Sequence, residues 1–341
     1  MTSSFPPIGD VMANPEWLAH RYDASRDAFH MLAVPRRRHA EIAFLTDEYL
    51  GETVRPMPVK RVEAMGQARE QAPLHFIFHS AFCCSTLMAA AFDIPGLSMG
   101  LKEPMILNDI VGWRHRGATG ANVARVLDEA MQLLARPFTD THGTIVKPSN
   151  IVNPLIPAML ALRPASRALF MYAPLSEYLV SIARKGMTGR LWVRDLMQKL
   201  AREGMIDLGI QPEEYLMLTD LQVAAVGWLA QQQQFHRLTE KLGERVVTLD
   251  SATFMSRPNK CLLNLASHFE LDLKPDQADA IVNGSLFRRD SKTGGDFAGG
   301  QRAKAAIEGR ALHADELDKV EQWARVLAVN NGIPLQLSNT V

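Results

Sequence analysis

Apolar positions change their spacing once along this chain, near residue 73. Before it, over 14–72, Leu18, Tyr22, Phe29 and Leu32 recur at intervals that fit a helix. Asn14-Pro15-Glu16 reads as a helix start, with proline at the first helical position and an acid in the first turn. Arg36-Arg37-Arg38 reads as a solvated helix end, and Pro56 and Pro58 break the pattern before a third helical stretch. Residues 1–72 are therefore expected to form a helical N-terminal extension to a domain over 73–341.

Beyond residue 73, short apolar runs alternate with helical stretches. The runs are HFIFH at 75–79, GLSMGL at 96–101, TIVK at 144–147, ALFMY at 168–172 and RVVTL at 245–249. Helical periodicity fills 85–93, 121–136, 151–163, 175–185, 213–242 and 258–269, and a last amphipathic helix starts near His313. Strands apolar on both faces, alternating with helices, predict an α/β fold. Its architecture is three αβα layers around a central, mostly parallel sheet. Such sheets bind ligands at the carboxyl ends of their strands.

The residues just past each run are therefore the ones to read. Phe76–Met88 runs Phe-Ile-Phe-His-Ser-Ala-Phe-Cys-Cys-Ser-Thr-Leu-Met. An apolar strand, a turn of small polar residues and a helix in that order is the layout of a phosphate-binding loop. Ser85 and Thr86 stand where their hydroxyls add donors, although either one also suits an ordinary helix N-cap. The glycine-and-lysine pattern of nucleoside triphosphatases is absent. The second run is followed by Lys102-Glu103-Pro104, the third by Lys147-Pro148-Ser149-Asn150, and the fifth by Asp250 and Ser251. The fourth leads through Ala173-Pro174 to a helix with Ser181, Arg184 and Lys185. Two lysines, a glutamate and several hydroxyls on one edge make an anion site. Pro104 is expected to hold Glu103 extended.

Composition narrows the classes. The 341 residues carry 37 Lys+Arg against 37 Asp+Glu, so bulk attraction to nucleic acid or an anionic membrane is not expected. Three cysteines, two of them the adjacent Cys83 and Cys84, make no disulfide framework, and no secretory or membrane-spanning pattern is present. A reducing cytoplasm fits best. No His/Cys cluster at metal-ligand spacing occurs. Gln231–Gln234 read as surface polar positions on a helix, and the Gly-rich, basic stretch 284–303 as a mobile flap.

From about 73 to 297 the chain resembles the P-loop-like sulfotransferases that use 3′-phosphoadenosine 5′-phosphosulfate (PAPS), as a divergent bacterial-type member. Phe82-Cys83-Cys84-Ser85-Thr86-Leu87 looks like the family's 5′-phosphosulfate loop, and VVTLDSATFMSRPNKCLLNLASHFEL at 246–271 is similar to its late strand, acidic loop and helix. Ser181 looks like the serine that meets the 3′-phosphate, and Glu103 falls where several branches place a base. Phe82 stands in place of the loop's Arg/Lys and Cys84 in place of its Gly, and the arginine before the 3′-phosphate helix is missing.

The resemblance implies sulfuryl transfer from PAPS, with PAP as product and without a metal. The acceptor would be a hydroxyl or amine of a small molecule or carbohydrate. Glu103 is the implied base and Lys147 a charge-neutralising catalytic partner. The donor set is His79, Ser80, Cys83, Cys84, Ser85, Thr86 and Ser181, with Arg184 and Lys292 among the candidates to replace the missing cations. Two other readings stay open. One is a P-loop phosphotransferase with Asp250 toward a metal, and the other is an inactive nucleotide-binding protein of the same fold.

Overall fold

Residues 5–51, 55–67, 71–139, 141–211, 213–288 and 307–341 are described by a computed structural model. The N-terminal part departs from the helical expectation. It holds a three-stranded antiparallel sheet, β1 (Trp17–Asp23), β2 (Ala28–Ala33) and β3 (Met57–Lys60), in the order β1-β2-β3, with short helices around it. Asn14 does not start a helix but ends the short one over Ile8–Ala13. Its side-chain oxygen accepts the Glu16 N–H at 2.9 Å, a local turn that delivers the chain into β1. Leu18 and Tyr22 lie four apart, a spacing that a period of two fits as well as a helix does, and both are buried on the strand. Between β1 and β2, Asp23 accepts the Ser25 N–H at 2.9 Å and Asp27 takes a left-handed φ of 45°, which closes the hairpin.

The second sheet follows the apolar runs. β4 (Leu74–His79), β5 (Met99–Lys102), β6 (Thr144–Lys147), β7 (Ala168–Tyr172) and β8 (Val246–Asp250) form one parallel sheet in the order β5-β6-β4-β7-β8. Every residue of β4, β5, β6 and β7 is buried, as near-continuous apolar strands require when both faces are covered. The observed fold is thus α/β with helices flanking a central parallel sheet. β4 is the middle strand, so the turn after it opens at the centre of the carboxyl edge. β5 lies at the sheet edge, with β6 between it and β4.

The helix Asp220–Leu242 packs on the helices Leu175–Arg184, Gly186–Arg202 and Ala314–Asn330. It starts on a capping box in which Thr219 and Gln222 satisfy each other's backbone N–H groups. Its glutamines are not on the surface: Gln231 and Gln232 are fully buried and Gln233 nearly so. Among the described residues, no helix is long and apolar enough to cross a membrane. The expected flap falls on 289–303 beyond its first turn, outside the described residues, and Lys292 lies there with it.

Two predictions follow from the packing. A Cβ at Gly100 in β5 would stand 2.5 Å from the Ala89 carbonyl oxygen, on the helix that follows the β4 turn. Gly100→Ala must push that helix away and is expected to cost roughly 1–3 kcal/mol, read as a lower urea midpoint at unchanged m. Burial lowers His39 to about 3 and His75 and His268 to about 4, so all three fold neutral. Between the ordinary histidine value and pH 4 the unfolded chain takes up protons that the folded chain refuses. Their contribution is complete above about pH 6.5 and is lost as pH falls, on the order of 1–2 kcal/mol per histidine at pH 5. Urea titrations at pH 7 and pH 5 that gave equal stability would contradict neutral burial.

Candidate active site

Strand β4 ends at His79, and the chain then makes an abrupt turn. The Ser80 N–H donates to the Met171 carbonyl at 3.1 Å, keeping the first turn residue on β7. Ala81, Phe82 and Cys84 then take left-handed backbone angles, with φ of 72°, 52° and 63°. The helix Ser85–Ala91 begins directly afterwards. Cys84 occupies the position where the resemblance calls for glycine and adopts the conformation that glycine adopts at least cost. A fourth left-handed residue, Glu103 with φ 55°, lies at the same sheet edge. Four of the seven such non-glycine residues among the described ones thus gather here. Clustered backbone strain of this kind marks a site whose geometry the surroundings impose.

The sequence expectation for Glu103 needs correction. It is not held extended by Pro104 but turned left-handed. β5 pairs with β6 up to Lys102 opposite Lys147, and the Glu103 N–H then donates to the Lys147 carbonyl at 2.7 Å. That bond and the turn bring the Glu103 carboxylate onto the Lys147 ammonium, with Oε1 accepting directly from Nζ. The Lys147 side chain is 1% exposed and that of Glu103 19%. Lys102 goes the other way, as strand alternation requires. Its buried ammonium donates to the His39 carbonyl at 2.6 Å, away from the turn, and burial lowers its pKa while Asp93 partly offsets this.

His79 joins the turn to the ion pair. The Ala81 N–H donates to His79 Nδ1 at 3.0 Å, and His79 Nε2 lies 3.0 Å from the Pro148 carbonyl and 3.9 Å from Glu103 Oε1. An Nδ1 that accepts and an Nε2 facing a carbonyl define the neutral, Nε2-protonated ring. Both nitrogens are thus engaged by backbone, which leaves His79 poorly set up as a base. Its own carbonyl accepts from Asn153 at 3.0 Å, and Asn153 is held in turn by Gln231 at 2.9 Å. Sequence reading missed this support. The available signal was a run of glutamines in a long apolar helix that also carries Trp228.

The remaining expected residues are distributed as follows. Ser85 and Thr86 open the helix and are 5% and 4% exposed. The Ser80 hydroxyl is buried and has no hydrogen-bond partner among the described residues, and the same holds for the Tyr178 hydroxyl beneath the turn. The Cys83 sulfur lies 3.4 Å from the Met171 carbonyl. Burial first, then neighbouring Cys84, pushes its thiol up to about 11, while bonds from Ser85 oppose the rise. Phe82 packs edge-on against Trp192 and Tyr178, and the Lys185 ammonium sits 5.6 Å over its ring. Ser181 is turned into its own helix, donating to the Glu177 carbonyl at 2.8 Å. Arg184 is exposed and lines a cavity of about 440 Å³ with Gly186, Arg190, Glu308 and His313; none of the turn residues lines it. Asp250 caps the helix Ser251–Ser256 by accepting the Thr253 N–H and hydroxyl at 2.8 and 2.6 Å. No group of three or more His, Cys, Asp or Glu among the described residues is placed to hold a metal ion.

Compared with known proteins, the chain matches no family profile and no curated protein. Solved structures similar to it include a sulfotransferase domain from the curacin biosynthetic pathway, at 16% identity over 67% of this chain and 82% of that one, TM-score 0.38. Sulfotransferase STF9 from Mycobacterium avium matches at 12% identity over 74% and 77%, TM-score 0.44. The sulfotransferase domain of the Synechococcus PCC 7002 olefin synthase matches at 15% identity over 75% and 96%, TM-score 0.41.

The turn's burial makes a direct expectation for its thiols. Cys83 should stay unmodified by iodoacetamide at pH 8 in the native protein and react on unfolding, because the thiolate is the reactive species and is scarce at that pH. Peptide mass spectrometry reads both states. Native-state alkylation of Cys83 as fast as that of an unfolded control would contradict the buried turn.

Proposed function

We propose that this chain transfers a sulfuryl group from PAPS to a hydroxyl or amine of a small-molecule or carbohydrate acceptor. The observation that carries the reading is a continuous chain of contacts from the left-handed turn to a buried ion pair: Ala81 N–H to His79, His79 to Glu103, Glu103 to Lys147. An anion-holding turn, a buried cation and a carboxylate on one sheet edge are what sulfuryl transfer asks for. The loop sequence that resembles the 5′-phosphosulfate loop of the family supports the same donor.

In this reading the backbone of 80–86, with Ser80, Cys83, Cys84, Ser85 and Thr86, holds the phosphosulfate end. Lys147 neutralises charge that grows on the leaving phosphate. Arg184 and Lys185 supply the cations that the loop and the preceding strand lack; Lys185 already stands over Phe82. Ser181 would join the 3′-phosphate side by turning its hydroxyl away from the Glu177 carbonyl, and Lys292 is assigned to that side from the sequence alone. In the transfer, the acceptor oxygen forms a bond to sulfur as the sulfur–oxygen bond to the phosphate breaks, and Glu103 takes the acceptor proton. Glu103 begins bound to Lys147. A donor anion competes for that ammonium and frees the carboxylate to act as base. The phosphotransferase reading would turn Asp250 toward a metal; here each of its oxygens accepts a bond from Thr253 in capping the helix Ser251–Ser256.

Calorimetry with PAP, AMP and ATP tests the donor. PAP is expected to bind at least tenfold more tightly than AMP, and equal affinities would overturn the assignment. Turnover with labelled PAPS over a panel of hydroxyl acceptors then tests Glu103. Glu103→Gln should lower turnover by about 10²-fold without weakening PAP binding, since it removes the carboxylate that competes for Lys147. Since the change leaves Lys147 without its carboxylate, a thermal melt of each variant separates lost chemistry from lost fold.

A further inference from the structure

The proposed mechanism leaves residues 39–50 unused, yet they reach the site. The Phe44 ring lies 5.1 Å from the Lys147 ammonium and stands nearly perpendicular to the Tyr49 ring, with centroids 5.3 Å apart. Three independent anchors hold the segment there. The Leu45 N–H donates to the Lys102 carbonyl at 2.7 Å, one residue before Glu103. The Lys102 ammonium donates to the His39 carbonyl at 2.6 Å. Asp47 accepts from His20 and Arg21 of β1 at 2.6 and 2.5 Å, and Arg21 makes paired bonds of 2.8 Å to Asp109 on the helix Met105–His115 that follows Pro104.

We infer that Phe44 is a positioning residue of the active centre, its ring face fixing the Lys147 ammonium against Glu103, and that the N-terminal segment is part of the site. An ammonium on a four-carbon stem is mobile unless every side of it is engaged. Glu103 takes one side with a charged hydrogen bond. An aromatic face takes another without offering a competing hydrogen-bond acceptor, attracting the cation through the ring quadrupole. Lys147 thereby stays covered but available to an incoming anion. The role in catalysis rests on the transferase reading, whereas the placement of Lys147 does not.

Competitive acetylation with acetic anhydride, read lysine by lysine by mass spectrometry, tests the placement on the full chain without substrate. In Phe44→Ala, Lys147 is expected to react at least tenfold faster than in the wild type, and Phe44→Tyr should restore protection to within twofold. Phe44→Leu, which covers without a ring face, should react several-fold faster than wild type. Lys102 serves as the internal control and should not change. Unchanged Lys147 reactivity in Phe44→Ala, full protection in Phe44→Leu, or an equal rise at Lys102 would each overturn the assignment. The last would report local unfolding of the segment. PAP calorimetry on the same proteins separates the two readings. A wild type that does not bind PAP defeats the donor and leaves the labelling result standing. Intact PAP binding with unchanged labelling defeats Phe44 alone.

Discussion

A lysine ammonium removed from water at the end of β6 sets the terms for the rest of this structure. Burying such a charge costs several kcal/mol unless partners replace its hydration. Lys147, at 1% side-chain exposure, obtains them from Glu103 and from the face of Phe44. Glu103 stands just past the neighbouring edge strand and reaches the ammonium by a left-handed turn, and that turn is fixed by its N–H bond to the Lys147 carbonyl. His79 approaches the same carboxylate from the central strand and passes the geometry on to Ala81. Backbone strain, sheet order and the N-terminal segment are therefore linked through one charge.

The two sheets differ in how far the sequence disclosed them. The parallel strands were legible because their residues are apolar on both faces and turn signals bound them. β4, β6 and β7 stand where the runs at 75–79, 144–147 and 168–172 place them, and β5 and β8 end one residue later than their runs. The antiparallel sheet was not legible. Leu18 and Tyr22 satisfy both periods at once, and Asn14-Pro15-Glu16 carries helix-start chemistry that a side-chain turn diverted. Strand order was also out of reach, because connection lengths do not say which strands lie side by side. Local sequence placed Glu103 and Lys147 on one edge. Their direct contact needed β5 next to β6, which only the fold supplies.

The interior polar residues tell the same story from the other side. Gln231 looked like surface polarity because glutamine is seldom buried without a partner. Here it bonds Asn150, Asn153 and the Gly227 carbonyl, and through Asn153 it steadies the His79 carbonyl. The long helix is thus a backing plate for the sheet edge as well as a core element. The last residues of the chain lean on the same elements. The Leu337 N–H donates to the Tyr172 hydroxyl at the end of β7, and Thr248 of β8 bonds the Ser338 carbonyl.

The turn after β4 reaches left-handed angles with alanine, phenylalanine and cysteine where glycine would do so without strain. That choice exchanges one kind of free energy for another. A glycine turn is unstrained when folded but has many conformations to surrender on ordering, whereas residues with a Cβ have fewer to lose and keep the strain instead. The loop is consequently stiff rather than pliant. On the proposed reading, a phosphosulfate entering it would meet a shape already made, and little of the free energy of association would be spent on arranging the backbone.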